Sequence, residues 1–221
     1  MAHDVRLVLS VIAVAVGGCL SDPAPVQLDA GPGGCADAER FCDLEVYPCA
    51  PYGTGTCDTL DDLSFLAANE HAEELAGGDG TLSLADIYAD KSIVGVLLFG
   101  TAGWCPACRV EAHDLNGIYA DFQDLDAEGH RLEFVTVVFQ DSSFSPATRE
   151  FAAAYDAGYG FDFPTVADPA GEILALFNAQ SAPGNILIDA TVMQIRQVIE
   201  GYDQAQLVNA LRDLDGPAVC R

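Results

Sequence analysis

Two cysteines separated by two residues lie where a predicted strand leads into a predicted helix. Residues 104–108 read Trp-Cys-Pro-Ala-Cys, and they closely follow the apolar run 93–99. Two thiols at this spacing can close a reversible disulfide. A thiolate at this position also faces the unpaired N–H groups and the positive dipole end of the helix, which lower its pKa and make it a nucleophile near neutral pH. The segment therefore indicates thiol-disulfide redox chemistry.

The spacing of apolar residues predicts an α/β fold with a mixed central sheet flanked by helices. A continuous apolar run predicts a buried strand at 93–99, a β-branched run predicts a second at 132–139, and further strands are predicted at 163–166, 186–189 and 192–199. Helical spacing predicts helices at 82–88, with Ser83 as a cap, and at 106–126, 146–155, 172–178 and 204–214. Strands and helices alternate along the chain until the hairpin at 186–199, so the strand directions are mixed.

Size and charge narrow the possible partners. The chain has 221 residues, half of them hydrophobic, which suffices for one good-sized domain with a tail or a small appendage. Its formal net charge is −25. Because like charges repel, nucleic acid and anionic membrane surfaces are excluded as partners.

The N-terminus is predicted to be an export signal. Arg6 precedes the apolar stretch 7–16, which is shorter than the roughly 20 residues that a bilayer-spanning helix needs. Residues 16–19 read Val-Gly-Gly-Cys and resemble the lipobox of bacterial lipoproteins, in which the cysteine, here Cys19, is lipidated. The alternative is an ordinary signal peptide with an unmodified Cys19. Both interpretations place the mature protein outside the cytoplasm, with membrane contact only through a lipid anchor.

A second group of cysteines predicts a disulfide-rich extension. It has little hydrophobic periodicity, as is typical of small loop-rich segments in oxidising compartments, and its cysteines are Cys35, Cys42, Cys49 and Cys57. Zinc binding is disfavoured because the paired C-x-x-C knuckles are missing, and we predict no metal site. If Cys19 is lipidated and residues 105 and 108 are reserved for chemistry, five of the eight cysteines remain. One is then unpaired, and the candidate is Cys220, unless it pairs with the N-terminal cluster.

These features predict five segments. They are a signal peptide with lipobox at 1–19, a flexible Pro- and Gly-rich tether at 20–34, the disulfide-rich extension at 35–59, the main domain at 60–215 and a C-terminal tail at 216–221.

The cysteine pair lies within a longer pattern. Its other members are Leu84, Lys91, Phe99, Ala102, Glu111 and Leu115. With these residues the chain resembles the thioredoxin fold over 60–215, and within it the TlpA/ResA-like redoxins of the bacterial cell envelope. The resemblance implies an extracytoplasmic thiol-disulfide oxidoreductase that exchanges disulfides with protein thiols and disulfides. It also implies an unidentified redox partner and no cofactor other than the redox-active disulfide.

The resemblance suggests roles for five residues. Cys105, at the start of the helix, is the expected nucleophile, and Cys108 is expected to resolve the mixed disulfide. Ala182 and Pro183 match the family's cis-proline segment, which implies a cis peptide bond beside the cysteine pair. Together with Trp104 they are expected to position the substrate: Pro183 would present backbone to an extended substrate segment, and Trp104 would pack beside the thiols and shield them.

Two departures from the family pattern concern proton transfer. His113 stands where the family usually has a proline, and the strand 93–99 lacks the buried acid that thioredoxin uses as a proton relay. Glu111 and His113 are the candidates for proton handling. For each of them a plain surface position on the helix is the more common situation, and it is the alternative that the sequence favours.

Other functions fit the motif less well. A peroxiredoxin-like thiol peroxidase has a threonine three residues before its reactive cysteine, whereas this chain has Ala102 there and Thr101 one place too early. Metal delivery on this fold usually adds a histidine near the cis-proline, and no histidine follows His130. Haem attachment needs a histidine where Arg109 stands. An interaction module without activity would not need both thiols and Pro183. The motif does not set the direction of electron flow, which depends on the reduction potential and the partner.

Overall fold

The computed structural model describes residues 46–214, which form a mixed seven-stranded sheet in the order β2-β1-β5-β4-β3-β6-β7. The strands are β1 Ser64–Ala67, β2 Thr81–Ser83, β3 Ile93–Ala102, β4 Arg131–Gln140, β5 Thr165–Ala167, β6 Gly184–Asp189 and β7 Gln194–Glu200. β3, β4 and β5 are parallel to one another, and every other neighbouring pair is antiparallel. The predicted mixed α/β architecture is therefore confirmed.

Helices flank this sheet. They are α1 Glu70–Leu75, α2 Leu84–Ala89, α3 Pro106–Ala120, α4 Arg149–Tyr159 and α5 Gln204–Leu214, with 3-10 turns at Glu172–Ala175 and Ala179–Ser181. Ser83 caps α2 as predicted, because its Oγ accepts the Asp86 N–H at 3.1 Å while the Asp86 carboxylate accepts the Ser83 N–H at 2.8 Å. Among the helices of the described residues, none has the length and hydropathy that crossing a bilayer requires.

The centre of the sheet positions the cysteine motif. β3 pairs with β4 on one edge and β6 on the other, and its residues 96–99 are fully buried. Gly95 and Gly100 lie five residues apart on β3 and point to opposite faces. A Cβ on Gly95 would meet Leu214 of α5, and a Cβ on Gly100 would meet Phe177. Because both faces are covered, β3 has the continuous apolar sequence from which it was predicted.

Several predicted boundaries were wrong, and short elements were missed. The strands β1 and β2, of four and three residues, are too short for a clear alternation, and they and α1 were not predicted. α3 ends at Ala120 rather than at 126, because the chain turns into the 121–130 loop. α4 starts at Arg149, since Thr148 caps it through a 3.2 Å hydrogen bond from Phe151 N–H.

Residues 46–59 are the described part of the predicted disulfide-rich extension, and they contact the main domain. Tyr47 Oη donates to the carbonyl oxygen of Leu60 at 2.9 Å. Cys49 and Cys57 each form a disulfide. Since their partners are not described, the pairing scheme stays a prediction, and the cysteines that lie outside the described residues are Cys19, Cys35, Cys42 and Cys220.

Close packing at Gly184 gives a stability prediction. A Cβ on Gly184 would lie 2.3 Å from Cγ of Phe177, so Gly184→Ala should lower the free energy of unfolding by about 1–3 kcal/mol. Gly117, on the exposed side of α3, has nothing within 4 Å of its Cβ position. As the matched control, Gly117→Ala should raise the same free energy by about 0.5–1 kcal/mol. Urea unfolding measures both, and a neutral Gly184→Ala variant would contradict the packing.

Candidate active site

The cysteine motif lies at the junction of β3 and α3. β3 ends at Ala102, and Cys105 N–H donates to the Ala102 carbonyl at 3.1 Å. Cys105 is the N-cap of α3, and its Sγ accepts the Cys108 N–H at 3.0 Å. Pro106 occupies the first turn, where a helix needs no N–H donor. The sulfur therefore lies among the free N–H groups of the helix end, where negative charge is stabilised.

Cys105 and Cys108 are joined by a disulfide, with their Cα atoms 5.3 Å apart. Both side chains are buried in this oxidised state: Cys105 is 2% exposed and Cys108 is 0% exposed. Cys105 is thus the more accessible of the two, although by a small margin.

The structure brings the predicted substrate-positioning segment to this disulfide. The Ala182–Pro183 peptide bond is cis, as the resemblance implies. The Ala182 carbonyl oxygen lies 3.5 Å from Cys105 Sγ. Because a disulfide sulfur carries no hydrogen, this is a van der Waals contact in the oxidised state. Gly201 N–H donates to the Pro183 carbonyl at 2.8 Å and thereby fixes the segment to the end of β7.

Trp104 is held rigidly beside the disulfide. Its Nε1–H donates to Oε1 of Gln140 at 3.0 Å, and its ring meets Phe139 edge-on at 6.5 Å. The Trp104 ring also stacks on the Phe144 ring, with centroids 5.0 Å apart and an angle of 18° between the ring planes. Trp104 therefore presents a fixed apolar surface next to Cys105.

Glu111 is buried on the same face of α3 as Cys108, one turn further along. Its carboxyl group is 0% exposed, and among the described residues neither oxygen has a hydrogen-bond partner. The pKa of Glu111 is raised to about 8, and burial is the main cause. The nearby Asn185 amide acts to lower this pKa, and the negative charge of Asp114 acts to raise it. The surface position that the sequence left open for Glu111 is wrong. A carboxyl group with this pKa can take up or release a proton near neutral pH.

The surroundings of Glu111 contain a further unsatisfied polar group. Asn185 lies on β6, two residues after Pro183, and is also buried with both amide atoms unpartnered among the described residues. The Asn185 amide is close enough to lower the pKa of the Glu111 carboxyl group, but the two side chains do not have the geometry of a hydrogen bond. Tyr202 Oη donates to Asp114 Oδ2 at 2.6 Å. The pKa of Tyr202 is raised, first by burial and then by the hydrogen bond to Asp114 and the negative charges of Asp114 and Glu111.

His113 is not brought to this face of α3. Its side chain is exposed, and its ring contacts Tyr159 edge-on with centroids 5.0 Å apart. Of the two candidates for proton handling, the structure therefore places only Glu111 among the buried groups near Cys108.

The model of the AhpC/TSA family matches residues 67–198, more than half of the chain, including both site cysteines and Pro183. The chain belongs to the AhpC/TSA family. The predicted redoxin membership is thereby confirmed. No curated protein matches the chain.

Solved structures share the fold of this AhpC/TSA-family protein. A Chlorobium tepidum protein assigned to the thiol:disulfide interchange proteins DsbE has 22% identity and a TM-score of 0.52, over 73% of this chain and 96% of its own. A secreted thiol-disulfide isomerase from Corynebacterium glutamicum has 21% identity and a TM-score of 0.50, over 70% and 84%. A DsbF homologue from Corynebacterium diphtheriae has 17% identity and a TM-score of 0.50, over 73% and 90%. These likenesses confirm the predicted thioredoxin-like fold.

The sequence did not reveal three neighbours of the site in this AhpC/TSA-family protein. Gln140 and Phe144 come from the end of β4 and the following turn, and Asn185 comes from β6. The sequence does contain a signal for Asn185, because this polar residue directly precedes the apolar run 186–188 of a predicted buried strand. The contact of Phe144 with Trp104 depends on the turn conformation, which the residue types alone do not specify.

Proposed function

We propose that this protein is an extracytoplasmic thiol-disulfide oxidoreductase that exchanges disulfides with protein substrates through Cys105 and Cys108. The observation that carries the proposal is the position of the disulfide. It lies at the N-terminus of α3, with the Cys108 N–H directed at Cys105 Sγ at 3.0 Å and the Ala182 carbonyl 3.5 Å away. Membership of the AhpC/TSA family supports a redox enzyme.

The first step is nucleophilic attack by the reduced protein. The Cys105 thiolate, stabilised by the Cys108 N–H and the helix end, attacks one sulfur of a substrate disulfide. The substrate S–S bond breaks, a mixed disulfide with Cys105 forms, and the other substrate sulfur leaves as a thiolate. The Ala182 carbonyl lies beside the reacting sulfur and can accept an N–H from an extended substrate segment.

The second step resolves the mixed disulfide. Cys108 loses its proton and attacks Cys105 Sγ, so the intramolecular disulfide forms and the second substrate thiol leaves. The pair has then given two electrons to the substrate. The same steps run in reverse when the pair oxidises a substrate dithiol, and the reduction potential selects the direction. Glu111, buried one turn after Cys108, is the group we assign to accept the Cys108 proton, and it does so in its ionised form, which a pKa of about 8 leaves as a minor fraction at neutral pH.

The proposal includes a location in the bacterial cell envelope. The predicted export signal and lipobox at Cys19 support a lipid anchor, and the disulfides at Cys49 and Cys57 are typical of an oxidising compartment. A separate redox partner would recycle the pair. The disulfide is itself the redox group, so the chemistry needs neither a metal nor an organic cofactor.

Peroxidase activity is a weaker candidate. In such a site a threonine hydroxyl would have to approach the reactive thiol. Here the hydroxyl of Thr101 is buried and hydrogen-bonded to Tyr155 Oη at 3.0 Å. Because Thr101 is engaged there, we do not assign it a role at the cysteine pair.

Rates of alkylation test the proposed roles. In the reduced, folded protein at pH 7, iodoacetamide should modify Cys105 at least about 10-fold faster than Cys108, because Cys105 has the stabilised thiolate and the greater access. Peptide mass spectrometry after short exposures gives the two rates. In denaturant the rates should become similar, which is the control. Faster labelling of Cys108 in the folded protein would reverse the assignment.

A further inference from the structure

The turn after β4 holds Phe144 in an unusual backbone conformation. Phe144 has φ of 64°, in the left-handed region that bulky residues rarely adopt. The Asp141 carboxylate accepts the N–H groups of Ser143 at 2.7 Å and Ser145 at 3.0 Å, and Asp141 N–H donates to the Ser145 carbonyl at 2.9 Å. The turn is thus internally braced, and the position of the Phe144 side chain is defined.

This turn packs directly against the cysteine motif. A Cβ on Gly103 would lie 2.8 Å from Ser142 N and 2.9 Å from Ser142 Oγ, so the turn touches the backbone just before Trp104. The Phe144 ring stacks on the Trp104 ring with centroids 5.0 Å apart. Since Trp104 is also hydrogen-bonded to Gln140, both rings are fixed relative to Cys105.

Much of the Phe144 surface remains free. The side chain is 64% exposed and is not part of the hydrophobic core. Single exposed apolar residues are common on protein surfaces. Phe144 differs because an unfavourable backbone conformation holds it against the tryptophan that precedes Cys105. Phe144 stacks on Trp104, which precedes Cys105, and the two residues that follow Cys105, Pro106 and Ala107, are apolar and exposed as well.

We infer that Phe144 is a specificity-determining residue, which contacts an apolar side chain within about two residues of the reacting cysteine of an extended polypeptide substrate. The inference rests on the proposed function. The substrate class is then unfolded or extended polypeptide with an apolar residue beside its cysteine. The contact is continuous with the site, because the Phe144 ring lies on Trp104 and Trp104 adjoins Cys105 in the chain.

A pair of matched peptides tests the inference. Both carry one cysteine in a mixed disulfide with glutathione, and they differ only in phenylalanine or serine next to that cysteine. Reduced wild-type protein should react about 3- to 10-fold faster with the phenylalanine peptide, the advantage expected of an aromatic pair. The Phe144→Ala and Phe144→Gly variants should bring this ratio close to one. Phe144→Gly suits the left-handed backbone, so loss of folding does not account for its result.

The control is Val192→Ser, which changes another exposed apolar side chain, 41% exposed, in the turn between β6 and β7. It should keep the wild-type ratio. A wild-type ratio near one, or a ratio that survives in both Phe144 variants, would overturn the inference while leaving the proposed exchange reaction in place. Wild-type protein that reacts with neither peptide would overturn the proposed function and the inference together.

Discussion

Replacing Cys108 with serine should make the protein accumulate covalent complexes with its substrates. In this variant the backbone N–H of residue 108 and the helix end still stabilise the Cys105 thiolate, so attack on a substrate disulfide continues. Serine does not resolve the mixed disulfide, and multiple turnover of a protein disulfide such as insulin should fall at least about 1000-fold. Non-reducing electrophoresis and mass spectrometry detect the trapped complexes.

The Cys105→Ser variant provides the comparison. It should lose turnover to a similar degree but should trap no substrate, because the buried Cys108 is not accessible to a protein disulfide. The double variant sets the background. Equal trapping by the two single variants would mean that the cysteines do not have distinct roles. Trapping by Cys105→Ser alone would mean that Cys108 is the nucleophile and Cys105 the resolving cysteine.

Replacing Glu111 with glutamine should remove a large pH dependence from the stability of the oxidised protein. Burial raises the pKa of Glu111 from 4.5 to about 8 in the native state. Below about pH 4.5 the carboxyl group is protonated in both the native and the unfolded states. Between 4.5 and 8 only the unfolded state loses the proton, so wild-type stability falls as the pH rises. The full loss, up to about 5 kcal/mol, is present above pH 8.

Urea unfolding at pH 5 and pH 9 measures this effect. At pH 5 wild type and Glu111→Gln should differ little, and at pH 9 the variant should be the more stable. Glu128→Gln, which changes an exposed carboxylate in the 121–130 loop, is the matched control and should follow the wild type. A Glu111→Gln variant with the same pH dependence as the wild type would contradict a protonated, buried Glu111.

The sequence predicts best what depends on local chemistry. Strands β3 and β4 are buried on both faces, and their continuous apolar runs identify them. The placement of residues 104–108 at the end of one such run is enough to predict the junction at which Cys105 caps α3. The match to the cis-proline segment likewise predicts the Ala182–Pro183 segment beside the cysteine pair.

The sequence predicts less well what depends on tertiary packing. The spacing of Glu111 from Cys108 places both on one helix face, but only β6 and the segment after β7 show that this face is covered at Glu111. His113 lies on the same helix, but its side chain is exposed and contacts Tyr159 of α4. The left-handed conformation of Phe144 arises from hydrogen bonds to Asp141, which no residue pattern alone specifies.

The reduction potential of the Cys105–Cys108 pair distinguishes a redox-active disulfide from a structural one. The protein is equilibrated in glutathione and dithiothreitol buffers of known potential, alkylated, and analysed by peptide mass spectrometry. We expect a reversible two-electron transition above about −300 mV, with Cys49 and Cys57 still oxidised under the same conditions as an internal reference. A pair that stays oxidised below about −300 mV, together with Cys49 and Cys57, would make it a structural disulfide and contradict the proposed oxidoreductase.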